Sequence, residues 1–206
     1  MHLSSLHNMT IFRDRFLSGS ESNHLEILDL GSTEMGACYR PIFERPGWNY
    51  VGTDLSPGRN VDIVLKHPFR WREIASGSVD VLVSGQVLEH VEYFWITMLE
   101  ISRVLKPGGL VCLIVPSGGP EHRYPLDCWR FYPDGMRALA NFGRLHVEDI
   151  RTQWEGFNDP GGSDLWRDSI LVARKPQRSW VKGKAVELFQ CLQREVLLTG
   201  LIRSGA

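Results

Sequence analysis

The sequence predicts one α/β domain built on a mainly parallel sheet of seven strands. Segments typical of strands alternate with segments typical of helices along most of the chain, which is the pattern of this class. The length of 206 residues suits a single domain with a large buried core. The hydrophobic share of 43% and the charged share of 23% are those of an ordinary globular protein.

The strands are expected where short apolar runs end at turn residues. They cover residues 25–30, 48–54, 61–65, 79–83, 110–115, 146–152 and 169–173. The fifth run is apolar on both faces, which indicates a central strand covered on both sides.

Helices are expected where apolar residues recur at helical spacing. They cover residues 10–17, 37–43, 91–105, 134–140 and 181–202. The pattern is clearest in the third, which we expect to stop at Lys106-Pro107-Gly108-Gly109. The chain then divides into a helical extension at 1–24, a domain at 25–176 and a helical tail at 177–206.

Charge and composition exclude several classes of protein. A formal net charge of -1 argues against a nucleic-acid binder, because phosphate contacts need clustered cations. We find no apolar run of about 18 residues that could span a membrane and no leader peptide, so a cytoplasmic protein is expected. The cysteines are far apart and lack a CxxC pair, which indicates free thiols rather than a zinc or disulfide framework; they are Cys38, Cys112, Cys128 and Cys191.

Two of the expected strands end in residues suited to a nucleoside ligand. The first ends at Asp29 and Leu30 and is followed by Gly31, and the second ends at Asp54. Glycine lets the backbone turn tightly beside a ligand, and an acidic residue here can bind both ribose hydroxyls. Each feature alone is also common in ordinary turns and caps.

The first loop does not match a dinucleotide fingerprint. The G-x-G-x-x-G pattern is missing, since only Gly31 and Gly36 occur, and Glu34 between them would repel a pyrophosphate. A cofactor with a cationic centre and no phosphate fits this loop better.

Two later stretches, SVDVLVSGQVLEHV at 78–91 and LEISRVLKPGG at 99–109, are the most specific signals in the chain. With them, the chain resembles the class I S-adenosylmethionine-dependent methyltransferases, in the branch described as type 11 methyltransferase-like. The resemblance runs over residues 25–173. It implies a Rossmann-like sheet with strand order 3-2-1-4-5-7-6 and an antiparallel last strand, with S-adenosylmethionine as the cofactor.

The resemblance also implies cofactor contacts after the first two strands. Asp29, Gly31 and Ser32 would line the methionine half of the cofactor. Asp54 would hold the ribose hydroxyls, and Leu55 would press on the adenine. The first loop holds fewer glycines than the usual family pattern, which leaves the detailed methionine contacts open.

Further contacts are implied after the third and fourth strands. Ser84, Gly85 and Gln86 would form the floor near the sulfonium. After the third strand the family commonly has an Asp or Asn for the adenine amino group, whereas His67 stands here. His67 or a backbone group takes that position, or packing alone holds the adenine.

The segment at 116–133 follows the fifth strand, and ligands of such sheets bind beyond the carboxyl ends of the strands. We expect His122 to remove a proton from the acceptor, because an ordinary imidazole has a pKa near 6.5, and Asp127 to orient it. Both side chains can instead serve only as caps of the loop and helix. Residues expected to contact the acceptor are Tyr124, Trp129, Arg130 and Tyr132.

Two other arrangements are open to this region. Glu89 and His90 can act as an acid–base pair, although the family uses this stretch to begin a helix. A metal site from His122 and Asp127 with Asp159 or Asp164 is conceivable, but nothing in the spacing supports it, so no metal is expected.

The expected function is therefore methyl transfer from S-adenosylmethionine to an oxygen of a small molecule or of a sugar in a glycan. A nitrogen acceptor and a non-catalytic scaffold are the alternatives. An NAD-dependent or nucleotide-sugar enzyme is disfavoured, since a Tyr-x-x-x-Lys pair is also missing. The tail could mediate a homodimer or pack on the sheet; the residues concerned are Ala185, Leu188, Leu192 and Val196.

Overall fold

The computed structural model describes residues 2–20, 24–156 and 162–203. The strands are β1 (Leu25–Leu30), β2 (Trp48–Asp54), β3 (Ile63–Val64), β4 (Val79–Gly85), β5 (Leu105–Pro116), β6 (His146–Thr152) and β7 (Asp168–Arg174). The helices are α1 (Leu3–Phe16), α2 (Arg40–Phe43), α3 (Phe94–Val104), α4 (Pro133–Phe142) and α5 (Trp180–Arg203). Short 3₁₀ turns lie at Leu88–His90 and Ser163–Trp166.

The strands form one sheet in the order β3-β2-β1-β4-β5-β7-β6. Neighbours from β3 to β5 pair in parallel, and β7 pairs antiparallel with both β5 and β6. The predicted fold class, strand order and antiparallel last strand are confirmed.

The sheet is covered on both faces, because alternate residues of each central strand point to opposite sides. Ile27 of β1 and Cys112 of β5 pack in the cluster beside α1 and α2. Leu28 and Leu113 pack in the cluster on the other face, beside α3 and α4. A central strand that is covered on both faces is apolar on both faces, as predicted for residues 110–115 of β5.

Helix α1 begins earlier than the predicted 10–17, at Leu3, and ends at Phe16. Its first turns are polar in sequence but buried in the protein. Ser4 donates a hydrogen bond of 2.7 Å to Asp168, and Ser5 shares one of 2.6 Å with Tyr39. These partners lie far along the chain, so local periodicity did not reveal this part of the helix.

The predicted stop of α3 is wrong in detail. The helix ends at Val104, and residues 106–109 are already part of β5. Backbone hydrogen bonds explain this: Gly108 donates to Lys175 and Lys175 donates to Gly109, which extends the pairing beyond the end of β7. In addition, β3 is shorter than the predicted 61–65.

Helix α5 packs on α3 rather than directly on the sheet. Gln190 donates to Gly143 at 3.0 Å, and Arg194 is ion-paired with the buried Glu100. The face formed by Ala185, Leu188, Leu192 and Val196 is exposed. Within the described ranges, no helix combines the length and the hydropathy that a membrane crossing requires.

Candidate functional site

The candidate site lies at the edge where β1, β2, β4 and β5 end. These strands are parallel, so their carboxyl ends, and the loops that follow, meet at one edge of the sheet. A cavity of about 290 Å³ lies elsewhere, between α3 and α5. Ser76 lines it near the amino end of β4, opposite to the edge where the strands end.

The loop after β1 is fixed to the end of β2. Gly31 has φ +76°, and its amide and that of Ser32 both donate to the carbonyl of Thr53, at 2.8 and 3.0 Å. The hydroxyl of Ser32 donates to the carbonyl of Asn60 at 3.0 Å. The buried hydroxyl of Thr33 has no hydrogen-bond partner in the described part of the chain.

Asp54 lies where the loops after β1 and β2 meet. Its carboxylate accepts hydrogen bonds from the amides of Thr33 at 3.2 Å, Leu55 at 2.7 Å and Ser56 at 3.3 Å. The side chain of Leu55 is exposed. A carboxylate offers about four acceptor positions, so Asp54 retains room for about one further donor.

Asp29 lies deeper than its neighbours in the predicted site. Its side chain is buried, and the hydroxyl of Tyr50 donates a short hydrogen bond to it. Burial raises the pKa of Asp29 to about 7, although the Tyr50 hydrogen bond and Arg40 act in the opposite direction. The carboxyl group is thus held between β1 and β2, below the loop.

The end of β4 is closely packed. The hydroxyl of Ser84 donates to the carbonyl of Leu30 at 2.9 Å. A Cβ at Gly85 would lie 1.8 Å from the hydroxyl oxygen of Tyr39, so only glycine fits there. Gln86 has φ +59° and donates to Asp168 at 2.9 Å, and its amide oxygen has no partner among the described residues.

His67 follows β3 and is bound within its own turn. Its Nδ1 accepts a hydrogen bond of 3.0 Å from the amide of Phe69. Burial and the nearby Arg70 lower the pKa of His67. The ring is therefore neutral at physiological pH and acts as an acceptor in this turn.

Residues 116–133 fold back over the end of β4. The amide of Cys128 donates to the carbonyl of Glu89 at 2.7 Å, and Trp129 Nε1 donates to the carbonyl of Val91 at 3.1 Å. Phe94 packs against the ring of Trp129 with a centroid separation of 5.2 Å. We call these contacts of Cys128 and Trp129 with Glu89, Val91 and Phe94 the clip. The clip joins the segment after β5 to the turn after β4.

His122 and Asp127 lie together in this segment, as expected from the sequence. The amide of His122 donates to Asp127 Oδ2 at 2.7 Å, and its ring Nδ1 lies 3.4 Å from the same oxygen. Arg130 binds both oxygens of Asp127, at 2.6 and 2.9 Å. The Arg130 hydrogen bonds, opposed by partial burial, hold the pKa of Asp127 well below its usual range.

The side chains around this segment divide into an exposed group and a group that is held by neighbouring residues. Tyr124 is 63% exposed, and its ring centroid lies 6.1 Å from that of His122. Tyr132 stacks on Trp154 at 6.2 Å. Trp129, in contrast, is held by the clip, and Arg130 is held by Asp127, so these two support the segment.

The turn Leu88–His90 lies against the segment at 116–133. Glu89 is fully buried, and its carboxylate oxygens have no hydrogen-bond partner within the described ranges. Burial raises the pKa of Glu89 to about 8, and Asp168 and Asp127 act in the same direction, whereas its own backbone amide and Arg130 act against the rise. The ring centroid of His90 lies 4.9 Å from that of His122.

Asp168 was not predicted as a site residue. It is buried beside Gln86, and burial raises its pKa. The sequence offers no signal for it, since it precedes an ordinary strand pattern.

The metal arrangement considered from the sequence combined His122 and Asp127 with Asp159 or Asp164. Of these residues, Asp159 lies outside the described ranges. Among those described, the group with metal-ligand spacing is instead Glu89, His90 and His122.

Comparison with known proteins supports a methyltransferase domain. Residues 28–113 match the type 11 family model described as "Methyltransferase domain". An uncharacterized methyltransferase of Mycolicibacterium gilvum is 29% identical over 147 residues, which cover 64% of this chain and 55% of that protein. One from Mycobacterium bovis is 41% identical over 120 residues, which cover 56% and 41%. The chain thus spans about half the length of these curated relatives.

Solved structures share the fold at low identity. The Burkholderia thailandensis 1,6-didemethyltoxoflavin-N1-methyltransferase, with bound S-adenosylhomocysteine, has a TM-score of 0.60 at 15% identity, covering 84% of this chain and 79% of that one. The [4+2]-cyclase SpnF has a TM-score of 0.63 at 15% identity, covering 83% and 82%. The predicted resemblance to the methyltransferases is confirmed by the match over residues 28–113.

Proposed function

From the methyltransferase domain at residues 28–113, we propose that the protein transfers the methyl group of S-adenosylmethionine to an oxygen of a small molecule or a sugar hydroxyl. The observation that carries the oxygen assignment is the His122–Asp127 pair. It lies on a segment that is bonded directly to the turn after β4, where a ligand of this sheet type binds.

The residues at the strand ends fit this cofactor. Asp54 retains about one acceptor position for a ribose hydroxyl, with the exposed Leu55 beside it for the adenine. Gly31 and Ser32 shape the first loop above the buried Asp29. His67, engaged with Phe69, leaves the adenine to packing and backbone groups.

Near the reacting centre, two polar atoms lack partners among the described residues: the Thr33 hydroxyl and the Gln86 amide oxygen. Both suit the polar amino-acid end of the cofactor. Ser84 and Gly85 complete this floor. The bound cofactor would supply a methyl group on a cationic sulfur, which leaves as S-adenosylhomocysteine.

The protein's own part is to align the acceptor and to remove its proton. His122 takes the hydroxyl proton, and the ionised Asp127 orients the ring and stabilises its charged form. Tyr124 is exposed beside His122, and the Tyr132–Trp154 stack offers a flat apolar surface. These rings suit a sugar or an aromatic alcohol.

Two alternatives stay open. A nitrogen acceptor would need only alignment, because a neutral amine attacks without prior loss of a proton. A non-catalytic scaffold is the second alternative, and SpnF, named as a cyclase, illustrates that a protein with this fold can have another activity. A homodimer through the exposed face of α5 and a cytoplasmic location remain predictions.

Calorimetric titration with S-adenosylmethionine and S-adenosylhomocysteine, with NAD as the control, tests the cofactor. Micromolar binding of the first two and none of NAD is expected. If neither S-adenosylmethionine nor S-adenosylhomocysteine binds, the non-catalytic scaffold is favoured. A screen of sugars and phenols that follows S-adenosylhomocysteine release then tests the oxygen assignment, and turnover with amines alone would overturn it.

A further inference from the structure

Glu89 is the least satisfied side chain of the candidate site. It is fully buried, yet neither carboxylate oxygen has a hydrogen-bond partner in the residues that the structure describes. A buried carboxylate without partners is costly, and it is normally found with a counter-charge, a proton or a metal ion. A metal ion can therefore take the place of a proton at this group.

Two histidine rings face this carboxylate. His90 Nδ1 is hydrogen-bonded to the backbone carbonyl of Leu126 at 2.5 Å, and its Nε2 lies 3.7 Å from Glu89 Oε1. A ring that donates from Nδ1 to a carbonyl presents the lone pair of Nε2. Metal-bound histidines are commonly oriented in this way.

His122 completes the group from the other side of the clip. Its Nδ1 is buried without a hydrogen-bond partner among the described residues and lies 3.4 Å from Asp127 Oδ2. One ligand atom from each of Glu89, His90 and His122 lies within 4.8 Å of the others. Bonds of about 2.1 Å to a shared ion require somewhat closer spacing, so the side chains would have to rotate towards one another when the ion binds.

We infer that Glu89, His90 and His122 bind a divalent transition-metal ion. Two imidazoles and one carboxylate suit zinc, iron(II), cobalt or nickel, whereas magnesium and calcium prefer oxygen ligands. Asp168 faces Glu89 as well, and the charge of Arg130 is compensated by its ion pair with Asp127. The ligands come from both sides of the clip, so the ion would hold the two loops together.

Three protein ligands leave a coordination position open, as in catalytic zinc sites. The exposed Tyr124 lies beside both rings, with centroid separations of 6.0 and 6.1 Å. If the proposed methyl transfer to oxygen is correct, a hydroxyl bound at that position would lose its proton more readily. His122 would then act as a ligand in the loaded protein and as a base only in the metal-free protein.

Titration of the full chain with cobalt(II), after treatment with a chelator, tests the site in the absence of cofactor and acceptor. One equivalent should produce a visible absorption band typical of nitrogen-ligated cobalt, and zinc(II) should displace it. Magnesium(II) should neither bind nor compete. A wild-type protein that shows no such band would overturn the proposal, whatever the variants do.

Variants identify the ligands. Glu89→Gln, His90→Ala and His122→Ala should each weaken cobalt binding by at least about tenfold. His67→Ala, at another half-buried histidine, should leave it unchanged. Unaltered binding in all three ligand variants would refute the assignment. Binding of S-adenosylhomocysteine by chelated protein is measured separately, so failure of the metal site is distinguishable from failure of the proposed function.

Discussion

Gly31 at the end of β1 is packed against Val87, just beyond the end of β4: a Cβ at position 31 would lie 2.2 Å from Val87 Cγ2. The two loops that flank the expected cofactor position are therefore in direct contact. Their separation depends on the absence of a side chain at Gly31.

Gly31→Ala should consequently destabilise the fold and weaken cofactor binding. Gly36→Ala is the matched control, since Gly36 has φ +86° in the same loop but no atom within 4 Å of an added Cβ. The control should cost about 1–2 kcal/mol for the left-handed backbone. Gly31→Ala should cost about 1–3 kcal/mol more through overpacking. Urea unfolding measures the free energy of unfolding of both variants. Equal decreases would show that the Val87 side chain moves aside without cost.

Asp54→Ala should weaken binding of S-adenosylhomocysteine by at least about tenfold, or ~1.4 kcal/mol, because the ribose hydroxyls lose their acceptor. An analogue without those hydroxyls provides the control, since it should bind to wild type and variant equally. Calorimetry with both ligands gives the comparison. If the variant discriminates against the analogue as strongly as wild type does, the ribose lies elsewhere.

His122→Ala should reduce turnover by ~10²-fold or more while leaving the affinity for S-adenosylhomocysteine unchanged. His146→Ala, at an exposed histidine of β6, is the control and should retain full activity. Chelation separates the two roles of the ring. Activity that survives chelation indicates a base, and activity that is lost and then restored by zinc(II) indicates a ligand.

Asp29 should make stability depend on pH. Its folded pKa of about 7 lies above its ordinary value, so the stability it contributes is present below about pH 4 and is lost as the pH rises through 7. Relative to Asp29→Asn, the free energy of unfolding of wild type should fall by up to about 4 kcal/mol across this range.

Urea unfolding of wild type and Asp29→Asn between about pH 4 and about pH 8 measures this difference. Arg40 and Asp54 also face Asp29 and are common to both proteins, so the difference isolates the carboxyl group. Tyr50→Phe should enlarge the effect, because the Tyr50 hydrogen bond lowers the pKa. Parallel profiles would exclude a proton on Asp29.

The sheet could be predicted from the sequence because its signals are local. The bounds of β1, β2 and β6 match the predicted runs, since each run ends at residues that favour turns or loops. The strand order followed from the family resemblance rather than from any property of the single strands.

The candidate site could be predicted less completely from the sequence, because its contacts join distant parts of the chain. In the sequence Ser4 has no feature that distinguishes it from an exposed serine, and only its hydrogen bond to Asp168 shows why it is buried. Likewise, Glu89 and His90 read as the start of a helix, and only the return of residues 116–133 brings His122 beside them. The periodicity of a sequence does not reveal contacts between segments that lie so far apart along the chain.

The clip has a consequence for redesign of the acceptor preference. Cys128 and Trp129 are attached to the turn after β4 through hydrogen bonds to the carbonyls of Glu89 and Val91, so the clip fixes the position of the segment at 116–133. Tyr124 and Tyr132 lie on this segment, Trp154 stacks on Tyr132, and all three side chains are exposed. Libraries that vary Tyr124, Tyr132 and Trp154 can therefore test new acceptors without changing the residues of the clip.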